Sequence, residues 1–128
     1  MSPIANFLIK LKNASRVRHE TVTFPYSKFI HAIASCLLRA GYIVSFEKKH
    51  KKAGEEIVIT LKYNDNGPRI NGVQLVSKPS ARRYFGVNDI HPIKNGFGIM
   101  ILSTPKGVMT DTESKKELVG GEALFKMW

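Results

Sequence analysis

The side chains of this chain that could do chemistry are hydroxyls, cations and one carboxylate. The stretch Ser103-Thr104-Pro105-Lys106-Gly107-Val108-Met109-Thr110 concentrates them. An apolar run, Phe97 to Leu102, leads in, and Thr110-Asp111-Thr112-Glu113 leads out as a helix start. Proline restricts φ and glycine accepts positive φ, so the stretch reads as a rigid turn. It presents two hydroxyls, backbone N–H groups and the Lys106 ammonium. Such a tip suits a phosphate, a ribose 2′-OH or a base edge, and equally an ordinary strand-to-helix connection. Gly120-Gly121-Glu122 follows. Phosphates repel a carboxylate, so Glu122 either faces a base donor or holds a protein N–H in the turn beside the two glycines.

Arg82-Arg83-Tyr84-Phe85 sets two guanidiniums beside two rings. Arginine reads phosphate or stacks, and a ring stacks on an unpaired base. Strand alternation sends Phe85 inward and Tyr84 outward. Lys12 ends the first helix, where it touches a phosphate or complements the helix dipole. Lys28 opens the second helix, where it opposes the dipole and so hints at a role of its own. Duplex RNA displays 2′-OH groups in its shallow minor groove. There Ser103 and Thr104 can both donate and accept, Gly107 permits close approach, and Lys106 supplies a cation.

Catalytic and cofactor patterns do not occur. The chain has no G-x-x-x-x-G-K-[ST], H-E-x-x-H or paired C-x-x-C. His19, His31, His50 and His91 are dispersed without metal-ligand spacing, and Ser103 has no evident base–acid pair. No enzyme, metal or cofactor is expected. Cys36 is the single cysteine, so no internal disulfide forms.

Composition agrees with a polyanion partner. Twenty Lys+Arg against ten Asp+Glu give a net charge of +10 over 128 residues. Residues 1–64 hold +7 of it and residues 65–128 hold +3. Each phosphate neutralised releases a counterion, so this balance favours nucleic acid. No apolar run reaches a membrane span of roughly 20 residues. No signal-peptide pattern opens the chain, so a cytoplasmic location is expected, or an organellar one if the organelle encodes it.

The elements that must position these groups follow from periodicity and turn residues. Ser2 caps a helix from Pro3 to about Ala14, with Ile4, Phe7, Leu8 and Leu11 on one face. Thr21 to Phe24 is a strand stopped by Pro25. Ser27 caps a helix from Lys28 to Ala40 whose stripe is Ile30, Ile33, Leu37 and the Ala34/Leu38 positions, and Gly41 stops it. Tyr42–Phe46 and Glu56–Tyr63 pair, and the lysine-rich Lys48 to Gly54 forms a solvated hairpin end. The turn Asn64-Asp65-Asn66-Gly67-Pro68 separates two lobes, 1–64 and 68–128. Arg69 to Ser77 is a strand and Pro79-Ser80-Ala81 a turn. Ile99 to Leu102 is a buried strand, and a helix capped by Thr110 and Glu113 runs to about Val119. A last strand spans Ala123 to Trp128. The expected class is α+β. The first lobe is an α/β layer (helix, strand, helix, strand, strand) and the second is mainly antiparallel sheet with one helix.

Ser103 to Thr110 followed by Gly120-Gly121-Glu122 resembles the signature of the bacterial small-subunit ribosomal protein number eight family. The resemblance extends through Pro3-Ile4-Ala5-Asn6, Lys12-Asn13-Ala14, Leu61-Lys62-Tyr63 and Val76-Ser77-Lys78-Pro79, and covers essentially the whole chain. It implies binding to the central domain of small-subunit rRNA, at a helix with an irregular internal loop. It also implies neighbouring small-subunit proteins as partners and repression of the protein's own operon mRNA in bacterial members. The RNA-reading role falls on Ser103, Thr104, Lys106, Gly107 and Glu122, with Lys12 and Lys28 as phosphate contacts. Pro105 stands where the family often has serine, and Ser80 where it often has glycine. The alternative is an interaction or assembly scaffold whose RNA affinity is only nonspecific.

Overall fold

The structure, a computed structural model, describes residues 3–93 and 96–128. The expected Ser2 cap lies outside them. The first apolar stripe forms helix α1, Pro3–Arg16, with Phe7, Leu8 and Leu11 buried. Strand β1 is Thr21–Pro25, with Pro25 still in register opposite Glu56. Helix α2, Lys28–Arg39, starts where Ser27 Oγ accepts from Ile30 N, and it ends before Gly41 at φ +80°. Ile30, Ile33, Ala34 and Leu37 are buried, but Leu38 is exposed. The buried member next to Leu37 is Cys36, because the helix face rotates by 100° per residue and Leu38 passes the edge of the stripe.

Strands β2, Ile43–Lys51, and β3, Gly54–Leu61, pair antiparallel, and β3 also pairs with β1, so the sheet order is β1-β3-β2. The lysine-rich segment is not a loop tip. Lys48 to Lys51 lie in β2, and the turn is reduced to Lys52-Ala53. Apolar alternation ends at Phe46, but main-chain pairing continues. Lys48 Nζ stands 2.6 Å from Glu55, and Lys51 Nζ 3.5 Å from Glu56.

The chain then crosses through β4, Tyr63–Asn64, and β5, Gly67–Pro68, which pair across the expected turn. The second sheet contains β6 (Val73–Leu75), β7 (Tyr84–Phe85), β8 (Ile99–Thr104), β9 (Gly107–Thr110) and β10 (Gly121–Met127). Its order is β6-β10-β8-β9, with β7 also on β10. The strand expected over Arg69–Ser77 shrinks to Val73–Leu75. Trp128 O accepts from Asn71 N and Gly72 N, and Leu124 O accepts from both Val76 N and Ser77 N. Trp128 N also donates to Gly72 O, so main-chain pairing carries one step past Val73, while the shared acceptor at Leu124 interrupts it at the other end.

Helix α3, Asp111–Glu117, opens with the expected capping box. Glu113 N donates to Thr110 Oγ1 at 3.1 Å, and Thr110 N to Glu113 Oε1 at 2.9 Å. It ends two residues earlier than expected, because Leu118 adopts the left-handed conformation at φ 57° and caps it. The final strand begins at Gly121, one residue before the Glu122 expected to open it, and ends at Met127.

The second sheet is buried on both faces. Ile101, Leu124, Phe125 and Met127 join Phe7, Leu11, Ile33, Leu37, Ile57 and Ile59 in one core that spans both lobes. On the opposite face Met100, Leu102 and Ala123 pack with Ile90 and the half-buried Phe85 and Ile93. Phe97 is not part of this burial. It is 81% exposed, because Ile99 is only half-buried and the buried run starts at Met100.

Phe125 is fully buried at the junction. Phe125→Ala is expected to cost about 3–5 kcal/mol. Urea unfolding followed by far-ultraviolet circular dichroism and by fluorescence should show both signals moving together to a lower midpoint.

Candidate nucleic-acid interface

The signature segment is a β-hairpin, not a strand-to-helix connection. β8 ends at Thr104, Pro105-Lys106 form the turn, and Gly107 opens β9 at φ +119°. Thr104 Oγ1 donates to Gly107 O at 2.8 Å and accepts from Lys106 N at 3.1 Å, closing the turn on itself. The hydroxyl therefore has a structural task, and one acceptor lone pair is left for anything outside. A β-carbon added at Gly107 would meet no atom within 4 Å, so the surface over this residue is open.

The registers assemble the other polar residues. Glu122 of β10 lies opposite Tyr84 of β7 on one side and Ser103 of β8 on the other. Directly opposed residues share a face of the sheet, so Tyr84, Glu122 and Ser103 form one transverse row. Ile101 and Phe125 occupy the same face further in, and they belong to the core joining the lobes. The row thus marks where that core gives way to solvent. Tyr84 is 70% exposed and Phe85 turns inward, as alternation requires.

Two glycines make this convergence possible. A β-carbon at Gly121 would stand 2.2 Å from Ser103 O, and one at Gly120 would stand 2.2 Å from Phe85 O. Any larger residue at either position would drive the strands apart.

Glu122 does not stand alone. Its side chain is only 17% exposed, and its Oε1 lies 3.6 Å from Arg82 Nη1. The guanidinium offsets the carboxylate charge that phosphates would repel. Arg83 is fixed by its backbone. Its N–H donates to Ser77 Oγ at 2.9 Å, its carbonyl accepts from Ala123 N at 2.8 Å, and its guanidinium stands 5.9 Å over the Phe85 ring. Lys106 Nζ is 3.6 Å from Glu117, both half-exposed. Lys28 is exposed beside Phe29. Phe29 lines a cavity of about 260 Å³ between the lobes, together with Ile4, Lys78, Pro79, Arg82 and Glu122. Of the polar row, Glu122 borders this cleft, together with its partner Arg82. Lys12 stands apart, about 12 Å further along α1 from Ile4 at 1.5 Å per residue.

Sequence reasoning missed Arg39. It was a C-terminal residue of α2 with no pattern to mark it, yet it spans the lobes. Its Nε donates to Glu113 Oε2 at 2.9 Å, and its Nη2 to Glu113 Oε1 and to Val108 O, each at 3.3 Å. Val108 pairs with Ser103, so Arg39 ties α2 to the back of the signature hairpin. Burial raises the Glu113 carboxyl, but the Arg39 guanidinium and the Thr110 N–H outweigh it and hold the group below its ordinary 4.5. Burial, with Glu113 nearby, pushes the Cys36 thiol up to about 12. Cys36 is therefore a protonated packing residue and not a nucleophile. Among the described residues no His, Cys, Asp and Glu group is set to hold a metal ion. None of their helices is long and apolar enough to cross a membrane.

A basic α+β protein with a polar row at the open end of a buried antiparallel sheet defines the class. Residues 2–128 match the model of one family, described as Ribosomal protein S8. Several proteins named Small ribosomal subunit protein uS8 are similar over nearly the whole length. The one from Roseiflexus castenholzii is 46% identical over 127 residues, covering 98% of this chain and 96% of the relative. That from Bifidobacterium longum subsp. infantis is 44% identical with the same coverage, and that from Persephonella marina 42%, covering 98% and 97%. The chain belongs to the ribosomal protein S8 family, a structural component of the ribosome and not an enzyme.

Two outcomes test the geometry. Gly121→Ala should lower stability by about 3 kcal/mol through overpacking, read as a drop in unfolding midpoint. Glu113→Gln keeps a capping acceptor but loses the charge, and should cost about 0.5–1 kcal/mol at neutral pH, since the pair is half-exposed. A carboxyl whose folded pKa is depressed stabilises above its unfolded value and loses that contribution as pH falls through the folded value. The gap between wild type and Glu113→Gln should therefore close on acidification below 4.5, in urea midpoints measured across that range.

Proposed function

We propose that this protein is a structural constituent of the small ribosomal subunit that binds the central domain of small-subunit rRNA and holds that RNA in shape for subunit assembly. The observation that carries the reading is the Tyr84–Glu122–Ser103 row beside the open Gly107 turn. A stackable ring, a charge-balanced carboxylate and a hydroxyl share one surface there, which suits an irregular RNA loop better than a uniform duplex. The ring stacks on an unpaired base and Glu122 accepts from a base amino group. Ser103 and the remaining lone pair of Thr104 engage ribose 2′-OH groups in the shallow groove. The backbone at Gly107 lets the RNA approach closely.

Lys28, Lys12, Lys106, Arg82 and Arg83 contribute phosphate contacts. Such contacts position the protein, while base and sugar contacts select the site. On this reading lobe 1–64 supplies most of the general attraction and lobe 68–128 most of the selectivity. Pro105 has no N–H, so the turn offers RNA one donor fewer than a serine would. The relatives are bacterial proteins named for the small subunit, which favours a cytoplasmic ribosome. An mRNA that copies the rRNA loop would be bound by the same surface, and its translation would be repressed.

The test is binding to a central-domain rRNA fragment and to a scrambled duplex across a salt series. Thr104→Ala and Glu122→Gln should each weaken the rRNA fragment about tenfold, equal to 1.4 kcal/mol, and leave the scrambled duplex unchanged. Thr104→Ser, which keeps the hydroxyl, should bind as wild type does. Equal binding to both RNAs that collapses with salt would instead leave a scaffold with only nonspecific phosphate affinity.

A further inference from the structure

A second cleft lies at the other end of β8. Phe97 precedes that strand and Thr104 ends it, so at roughly 3.3 Å per residue they are at most about 23 Å apart. Asn64, Pro68, Arg69, Asn71, Phe97 and Trp128 line the cleft, whose volume is about 470 Å³. That is the size of a small-ligand site.

The cleft is built, and its exposed ring is not a frayed end. Gly96 N and Gly98 N both donate to Ile93 O, at 2.9 and 3.0 Å, and Tyr42 OH donates to Phe97 O at 3.1 Å. The backbone is thus pinned on both sides of Phe97 while the phenyl ring stays 81% exposed. A β-carbon at Gly98 would stand 3.0 Å from Met127 O and 3.2 Å from Trp128 Cβ, so glycine lets this loop close on the C-terminal strand. A β-carbon at Gly72 would stand 2.4 Å from the Trp128 ring, so a second glycine seats the indole. The Tyr42 ring that holds Phe97 through its hydroxyl also carries Arg69, whose guanidinium lies 3.7 Å from the ring centroid.

The polar groups are complementary in kind. Asn64 Oδ1 accepts from Asn66 N, so the end of Asn64 that can serve a ligand is its Nδ2 donor. Asn71 Nδ2 donates to Arg69 O, so Asn71 offers its Oδ1 acceptor. One donor, one acceptor, an exposed ring and a rigid cation are what a base edge, a base face and a phosphate require. We infer that this cleft binds an unpaired nucleotide of an RNA strand, with its base on Phe97, its edge between Asn64 and Asn71, and its phosphate at Arg69. Taking the strand to be rRNA rests on the function proposed above. Binding of a single strand as such does not. The protein would then hold RNA at both ends of the second sheet.

Trp128 is the single tryptophan of the chain and lines the cleft, so its fluorescence reports occupancy. The full-length protein would be titrated with a short unstructured RNA oligonucleotide, a duplex of the same composition and a free nucleoside monophosphate. The single strand should change Trp128 emission, the duplex should not, and the monophosphate should bind more weakly than the strand. Phe97→Ala should weaken the single strand about tenfold or more, as loss of one base–aromatic stack does. Phe97→Tyr should retain binding. Phe97 is exposed, so an unchanged unfolding midpoint would confirm that Phe97→Ala is folded. Thr104→Ala should leave the single strand unaffected while weakening the central-domain fragment, so the two sites can fail separately. Equal binding of single strand and duplex, or no effect of Phe97→Ala, would overturn the inference. So would a monophosphate binding as tightly as the strand. A Phe97→Ala protein that binds every RNA normally but fails to join other small-subunit proteins would assign the cleft to a protein neighbour and overturn it equally.

Discussion

The packing of β10 against the helices is the constraint on which the rest of the structure depends. Leu124, Phe125 and Met127 enter the same core as Phe7 and Leu11 of α1 and Ile33 and Leu37 of α2. Each such side chain contributes about 1.5–3 kcal/mol by leaving water. β10 is also the hub of its sheet, pairing with β6, β7 and β8. Burying one face of β10 therefore settles the register of three other strands. A slip of one residue would turn Phe125 to the wrong face. The polar row inherits its placement from that burial, since Glu122 is the same strand continued past the edge of the core.

That core is supplemented by directional contacts where apolar packing alone leaves freedom. Arg39 gathers Glu113 and Val108 O, linking α2 to the capping box of α3 and to the hairpin. Asp111 is buried and accepts from Met100 N at 3.2 Å, which fixes the start of α3 on β8. Ser114 donates to Val119 O under the helix end. Half-exposed ion pairs are worth about 0–1 kcal/mol each. Their effect is therefore one of orientation more than stability. The positive charge is shaped in the same way. Lys48, Lys51, Lys106 and Arg82 all face carboxylates, so the excess of +10 acts as a long-range field as well as through individual cations.

The two polar regions of the second sheet solve one problem by similar means. At one end Gly120 and Gly121 let strands approach until backbone atoms nearly touch, and at the other Gly72 makes room for the Trp128 ring while Gly98 lets its loop close on Met127 O. Both ends place an exposed ring, Tyr84 or Phe97, next to fixed hydrogen-bonding groups. Rigid presentation lowers the ordering cost of binding. On the proposed reading, that is why turns and strand ends, held by a shared core, carry the contacts.

Much of this was legible in the residues alone. The Ile4, Phe7, Leu8 and Leu11 stripe, the Ser27 cap and the Thr110–Glu113 box depend on contacts a few residues apart, so local spacing determined α1, α2 and the start of α3. Alternation likewise separated Tyr84 from Phe85. The tertiary structure decided what distant segments do to one another. Lys48 to Lys51 became strand because β3 supplied partners, and Arg69 to Ser77 kept strand only where β10 runs alongside it. The signature segment folded back as a hairpin because β8 offered an edge to β9. The row of Tyr84, Glu122 and Ser103 joins residues from three strands, and Arg39 meets Glu113 across 74 positions of chain. Periodicity reports which face of an element is apolar. Which elements meet, and which residues stand opposite each other, follows from burying those faces together in three dimensions.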